Sequence, residues 1–259
     1  MSRSYRFGND ESIFSIADLH VGLWPFLQAI GLGAIVILPG VYANDWALRL
    51  FGMDQIMSKP WIALFASHFT QLCIALAAIA WVGRMRFRDY GFRRPEGKSY
   101  VGAAVAYGVL FGLIMTVVDY LPQILAQTAP QDLPLTKVNL AGWLSFEGLF
   151  VGISEEVPFR GLLQTFLMKR TTGRVRFWKY EMHVAGILLA FLFALAHLSS
   201  FWQEPFWSAL GQQGYAFALG ILYAYWFEKS GSLLASIVGH NVGDFVEYCL
   251  LFLMAARWR

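Results

Sequence analysis

The sequence predicts an all-α fold, a polytopic membrane bundle of about seven to eight transmembrane helices. Two compositional facts and one pattern predict it. Of the 259 residues, 57% are hydrophobic and only 14% are charged, against roughly 25% charged in an ordinary soluble domain. The mean hydropathy is +0.50, too apolar for a chain that stays dissolved. The apolar residues are also gathered into windows at about 21–43, 60–82, 100–121, 139–168, 183–200, 205–227 and 232–255, near the ~20 residues that a bilayer crossing needs. These windows lack period-two alternation and are longer than barrel strands, so each is expected to be a helix.

Taken in order, the windows leave no room for a separate soluble domain. Residues 1–20 are expected to be a cytoplasmic N-terminal segment, and 21–259 a single membrane-embedded domain. Asp10, Glu11 and Asp18 do not fit the basic start of a signal peptide, so no cleaved leader is expected. After the second window comes a basic loop with Arg84, Arg86, Arg88, Arg93, Arg94 and Lys98. The third is followed by 122–138, which has only Lys137 and is broken by Pro122, Pro130 and Pro134, so it reads as an outer loop. The fourth window leads into a second basic loop, from Lys169 to Lys179. With both basic loops in the cytoplasm, the N-terminus with Arg3 and Arg6 is inside, and Arg257 and Arg259 fall outside unless the last window splits around Gly243. The basic blocks set orientation and are not arranged to grip nucleic acid. Cys73 and Cys249 sit in apolar runs as small packing residues, with no disulfide framework or CxxC pattern. Trp24, Trp81, Trp143, Trp226 and Tyr100 read as an interfacial aromatic belt.

An ionisable group at the bilayer centre costs roughly 2.5 to 3.5 kcal/mol on insertion scales, so each one inside an apolar window needs a reason. The fourth window is interrupted by Ser154-Glu155-Glu156-Val157-Pro158-Phe159-Arg160-Gly161. Glu156 and Arg160 are four apart with the acid first, the favourable order for an intrahelical ion pair. Glu155 projects roughly 100° away and must find its partner on another helix or in water. The fifth window places His197 one turn after Phe193, and Phe193 is read as packing. In the seventh, His240 and Asp244 share a face, so the carboxylate can orient the imidazole. Three helices thus offer polar groups to one interior, enough for a water-activating site built on Glu155 and two histidines. His68 and His183 read as packed or hydrogen-bonded residues. Asp119 and Glu147 read as buried hydrogen-bonding groups or as groups near an interface.

Glu155-Glu156-(three residues)-Arg160, Phe193-(three residues)-His197 and His240-(three residues)-Asp244 resemble the EExxxR, FxxxH and HxxxN/D motifs of the CAAX protease and bacteriocin-processing (CPBP, or Abi) family, whose members include the type II CAAX prenyl endopeptidase. The resemblance covers about residues 140–250. It implies an intramembrane peptidase with its cavity inside a helical bundle, acting on a peptide or protein substrate with a hydrophobic or lipidated segment, in contact with membrane lipid and not nucleic acid. It also implies the cytoplasmic membrane of a prokaryote. By carry-over, Glu155 activates water with help from His197, His240 and Asp244 position or stabilise the oxyanion, and Glu156, Arg160 and Phe193 support the geometry. Members are described both as metalloproteases and as metal-independent glutamic proteases. Glu155, His197 and His240 could coordinate a zinc ion, but no HExxH clamp is present, and the metal-free version is preferred. Asp244 stands where many members have Asn, and an ionised Asp would repel an oxyanion unless it acts through His240 or carries a proton. Two rivals remain at this level: a peptide-binding or bacteriocin-immunity protein without turnover, and a small transporter with Glu155 and His197 as a proton relay, against which the absence of an inverted repeat counts.

Overall fold

The computed structural model describes residues 14–130 and 133–258. Arg3, Arg6, Asp10, Glu11 and Arg259, which enter the orientation and leader arguments, lie outside the described residues. Helices α1 (Leu23–Phe51), the short α2 (Met53–Ser58), α3 (Trp61–Val82) and α4 (Val101–Ala126) cover the first three apolar windows. The fourth window is one continuous rod over 137–168. In it α5 (Lys137–Ser145), α6 (Gly152–Glu156) and α7 (Thr165–Met168) are joined by wider π-helical turns at Phe146–Val151 and Val157–Gln164. Then follow α8 (Val184–Leu195), the one-turn α9 (Ser200–Gln203), α10 (Phe206–Ser230) and α11 (Leu234–Arg257).

Five stretches among the described residues are long and apolar enough to span a bilayer: α1, α3, α4, α8 with α9, and α11. The 137–168 rod and α10 carry more polar side chains and run between the same two ends. The packing is inverted relative to a water-soluble protein. Trp81 and Trp202 are 85% and 82% exposed, whereas Glu156 and Arg160 are 0% exposed. Lipid solvates such an apolar exterior, and helices satisfy their backbone groups internally. The protein is an integral, multi-pass helical bundle.

One end of the bundle collects both basic loops. The Lys169 ammonium lies over the Tyr90 ring at 4.6 Å, and Arg93 Nε donates to Gly231 O at 2.7 Å. At the opposite end Asn139 Nδ2 donates to Ser58 O at 2.8 Å, and Leu133 packs with Leu251, Met254 and Ala255 near the C-terminus.

The structure corrects the sequence reading in three places and decides between two of its alternatives in a fourth, at Gly243. A small sheet accompanies the helices: β1 (Phe14–His20), β2 (Thr172–Phe177) and β3 (Tyr180–His183), antiparallel in the order β1-β2-β3. It forms at the basic end, where residues 14–20 pair with the loop after the 137–168 rod, Ile16 opposite Val175 and Ala17 opposite Arg174. Gly173, at φ +126°, is required there, because a Cβ would meet Leu19 Cα at 2.9 Å. Helix α4 runs through Pro122 to Ala126, with the distortion taken up at Tyr120 (φ −119°, ψ 17°), so the helix bends at its proline and does not end there. Helix α11 is unbroken through Gly243, which puts Arg257 at the end away from the basic loops. Trp143 and Trp226 are buried, Trp143 stacked on Tyr248 at 4.7 Å and Trp226 beside Tyr223 at 5.8 Å. They pack in the bundle and do not join the belt, whereas Trp24 and Trp81 face outward.

The tightest packing sets α11 in place. A Cβ on Gly108 would lie 2.8 Å from Gly239 O, and one on Gly112 would lie 2.5 Å from Gly243 O. Small residues four apart on both helices let the backbones touch, the usual route to close helix approach in lipid. His240 and Asp244 follow directly after those two contacts in the chain and are held to the same precision.

Candidate active site

The 137–168 rod is wound irregularly where the polar residues lie. Pro158 lacks an N–H, and the following segment uses wider i→i+5 turns through Gln164; such π segments recur at functional sites because they re-aim side chains. Beside the first π segment, the Gly152 N–H is taken by Asn241 Oδ1 at 2.7 Å, which couples the rod to α11.

Glu155 and Glu156 have different surroundings. Glu156 is sealed, and its Oε1 accepts from Arg160 Nη1 at 3.0 Å and from His240 Nδ1 at 2.9 Å. The expected Glu156–Arg160 pair is therefore present, but the same oxygen also holds the imidazole of α11. Arg160 is further caged by aromatic faces, with its guanidinium 4.5 Å from the Phe193 ring and 5.3 Å from the Tyr223 ring, and it donates to Gly220 O at 3.3 Å. Glu155, with 17% of its side chain exposed, has no arginine against it. Its Oε2 lies 3.7 Å from His240 Nε2 and its Oε1 lies 3.9 Å from His68 Nδ1.

His240 is the hub. Because a carboxylate accepts at Nδ1, that nitrogen carries a proton, and Nε2 faces Glu155 and also Asp244 Oδ2 at 3.3 Å. Tyr223 stacks on the ring at 5.6 Å and 20°, and Phe193 meets it edge-on at 6.1 Å. His197 stands beyond the last turn of α8 and within electrostatic reach of Glu155. Its Nδ1 bonds to Phe193 O at 2.9 Å. A carbonyl can only accept, so Nδ1–H is the donor and Nε2 of the neutral ring keeps its lone pair. Gln213 Nε2 and Ser200 Oγ both donate to His197 O, at 3.0 and 2.8 Å, and pin the backbone there. Phe193, read from sequence as packing, touches Phe159 at 4.9 Å and His197 at 5.1 Å between ring centres. Its ring and its carbonyl both serve the site.

The structure thus brings Glu155, Glu156, Arg160, Phe193, His240 and Asp244 into one cluster with His197 at its edge. Sequence reasoning read His68 only as a packed or hydrogen-bonded residue, gave no role to Ser154 and Asn241, which adjoin Glu155 and His240 in the chain, and missed Tyr223 and Gln213, which no spacing ties to the motifs. Asp119 is a hydrogen-bonded buried acid, accepting from Tyr215 Oη at 2.8 Å and Ser208 Oγ at 3.4 Å. Glu147 is buried in the rod. Among the described residues no group of three His, Cys, Asp or Glu side chains is spaced to hold a metal ion. The Nδ1 bonds of His240 to Glu156 and of His197 to Phe193 O are compatible with imidazoles that would hold a zinc ion through Nε2 beside Glu155, and no step is derived through a metal.

Residues 137–246 match the family model described as type II CAAX prenyl endopeptidase Rce1-like. No curated protein and no solved structure matches the chain. The matched stretch is less than half of the chain, and the three motif stretches all fall within it.

Proposed function

We propose that this membrane protein, whose match to the Rce1-like family model indicates a protease, hydrolyses a peptide bond near the membrane by glutamate-activated water. The observation that carries the reading is the asymmetry between two adjacent acids: Glu156 is tied to Arg160, while Glu155 meets only imidazoles and remains partly open.

In the proposed mechanism Glu155 takes a proton from water as the hydroxyl oxygen forms a bond to the scissile carbonyl carbon. His197, with its Nε2 lone pair free, assists in orienting that water. The carbonyl oxygen becomes an oxyanion, and His240, as the imidazolium with Nδ1–H held by Glu156, donates to it from Nε2–H. Asp244 Oδ2 lies 3.3 Å from that same nitrogen, so it gives way to the oxyanion there or meets it as the protonated acid. Collapse of the intermediate breaks the C–N bond, and Glu155 returns its proton to the departing amine. Arg160 and Phe193 hold Glu156 and both histidines. The substrate we favour is a peptide with a hydrophobic or lipidated C-terminal segment, presented from lipid, in the inner membrane of a prokaryote with the basic end inside.

The test is Glu155→Gln, which keeps shape and removes the base. With a quenched fluorescent peptide carrying a prenylated cysteine near its C-terminus, and purified protein in proteoliposomes, turnover is expected to fall by about 10² to 10⁴ with melting temperature unchanged. Full turnover by the Gln variant would sink the reading. Wild-type turnover that survives chelation fits the metal-free form.

A further inference from the structure

His68 lies on α3, outside the matched 137–246 domain and outside all three motifs. Its Nδ1 is 2.9 Å from Ser154 Oγ. Ser154 gives its only hydroxyl proton to Val151 O at 2.8 Å, so it accepts from the imidazole, and His68 carries its proton on Nδ1. The ring is fixed from the side by Phe146, edge-on at 5.2 Å and 87°. The same nitrogen is 3.9 Å from Glu155 Oε1, while His240 Nε2 is 3.7 Å from Glu155 Oε2. One carboxylate is thus bracketed by two imidazoles, one facing each oxygen, and they come from two different helices, α3 and α11, that both pack on the rod.

The bracket has a geometric consequence. Ser154 is the residue before Glu155, so the His68–Ser154 bond fixes the rotation of α6 at the point where Glu155 departs from it. Glu155 has no arginine to set its direction. Without His68 its carboxylate is free to turn toward His240 alone and to spend both oxygens there.

We propose that His68 is a positioning residue for Glu155, holding the carboxylate with one oxygen turned away from His240 and available to the attacking water. This rests on the hydrolytic reading above. The site of this chain is then completed by a helix that the domain match does not include, and α3 is part of the catalytic architecture and not only a wall of the bundle.

Three substitutions test it with the same prenylated peptide. In His68→Leu the packing against Phe146 survives and the donor is lost; kcat is expected to fall about 10- to 100-fold, the range for residues that orient a reacting group, with KM within about twofold. In His68→Asn the amide nitrogen stands where Nδ1 stood and can still donate to Ser154, so about tenfold of the lost kcat is expected to return. Ser154→Ala unties the imidazole and is expected to fall between the two. A purely structural latch gives the opposite order, with Leu tolerated and Asn not, or gives parallel losses of melting temperature and activity in all three; either result overturns the proposal. If Glu155→Gln is inactive and His68→Leu keeps wild-type kcat, this inference fails alone. If Glu155→Gln is active, both fail.

Discussion

Two clusters of acids and cations stand at different depths in the bundle, and they differ in the partner each acid keeps. At the sheet, Arg174 is shared between Glu181 and Glu228, reaching Glu228 at 2.7 Å, and the His183 N–H gives Glu228 a further bond at 2.7 Å. Burial alone would lower the Arg174 pKa, but the two carboxylates outweigh it and hold it above its ordinary value. Every acid in that cluster is matched by a group that cannot lose its proton in the working range. In the interior a single arginine, Arg160, serves Glu156, and the remaining acids Glu155 and Asp244 meet imidazoles. Arginine commits a carboxylate to structure, whereas histidine leaves it able to exchange protons. The two clusters use the same residue types, and the choice of cation separates scaffold from chemistry.

The sharpest way to break this comparison is the same substitution in both clusters. Arg160→Met leaves Glu156 with His240 as its remaining partner in a sealed site, and a loss of about 3 to 5 kcal/mol is expected. It should be read as lower yield of folded protein and a lower melting temperature, not only as lost turnover. Arg174→Met removes a side chain that is 40% exposed, so solvent screens the loss and about 1 kcal/mol or less is expected. Equal effects of the two substitutions on melting temperature would show that depth does not separate the clusters. Between these falls Gly112→Val. A Cβ there would sit 2.5 Å from Gly243 O, forcing α4 and α11 apart at a cost of about 1 to 3 kcal/mol. Because Asp244 follows Gly243, peptide turnover should fall further than stability alone explains, and a variant with normal turnover would separate the helix contact from the site.

Much of this was legible in the sequence, and the parts that were not share a physical cause. The helical windows stand out because lipid demands long apolar runs. Glu155, Glu156 and Arg160 stand out because charges are costly among Leu and Phe, and helical spacing alone pairs Glu156 with Arg160. His68 did not stand out because its partner Ser154 is 86 residues away and no local spacing links them. Tyr223 is one aromatic among many in a chain that is 17% aromatic, so its stacking on His240 has no sequence signal. Strand β2 was hidden by its own charge: Arg174-Val175-Arg176-Phe177 alternates for only four residues, and basic residues in a loop read as an orientation signal. Its partner β1 lies more than 150 residues earlier in the chain, across most of the bundle. The double use of Glu156 Oε1 was equally hidden, since it depends on how closely Gly108 and Gly112 let α11 approach α4.

The smallest expected effect tests the edge cluster by pH. His183 caps α8, its Nδ1 accepting from the Ala185 N–H at 3.1 Å, which requires that nitrogen to be unprotonated. Burial pushes its pKa below the ordinary 6.5 and Arg174 pushes the same way, while Glu228 and a Thr171 backbone contact oppose them. A histidine whose folded pKa is depressed contributes stability that is present above about pH 6.5 and is lost as pH falls through the folded value, because the unfolded chain takes the proton first. His183→Asn keeps an acceptor for the cap at every pH. Melting temperatures measured at about pH 7.5 and about pH 5.5 should therefore fall for the wild type by a degree or two more than for His183→Asn. Equal falls would mean that the cap does not titrate. The acid sensitivity would then belong to the imidazole-paired interior, making histidine the pH-responsive partner there and arginine the silent one at the sheet.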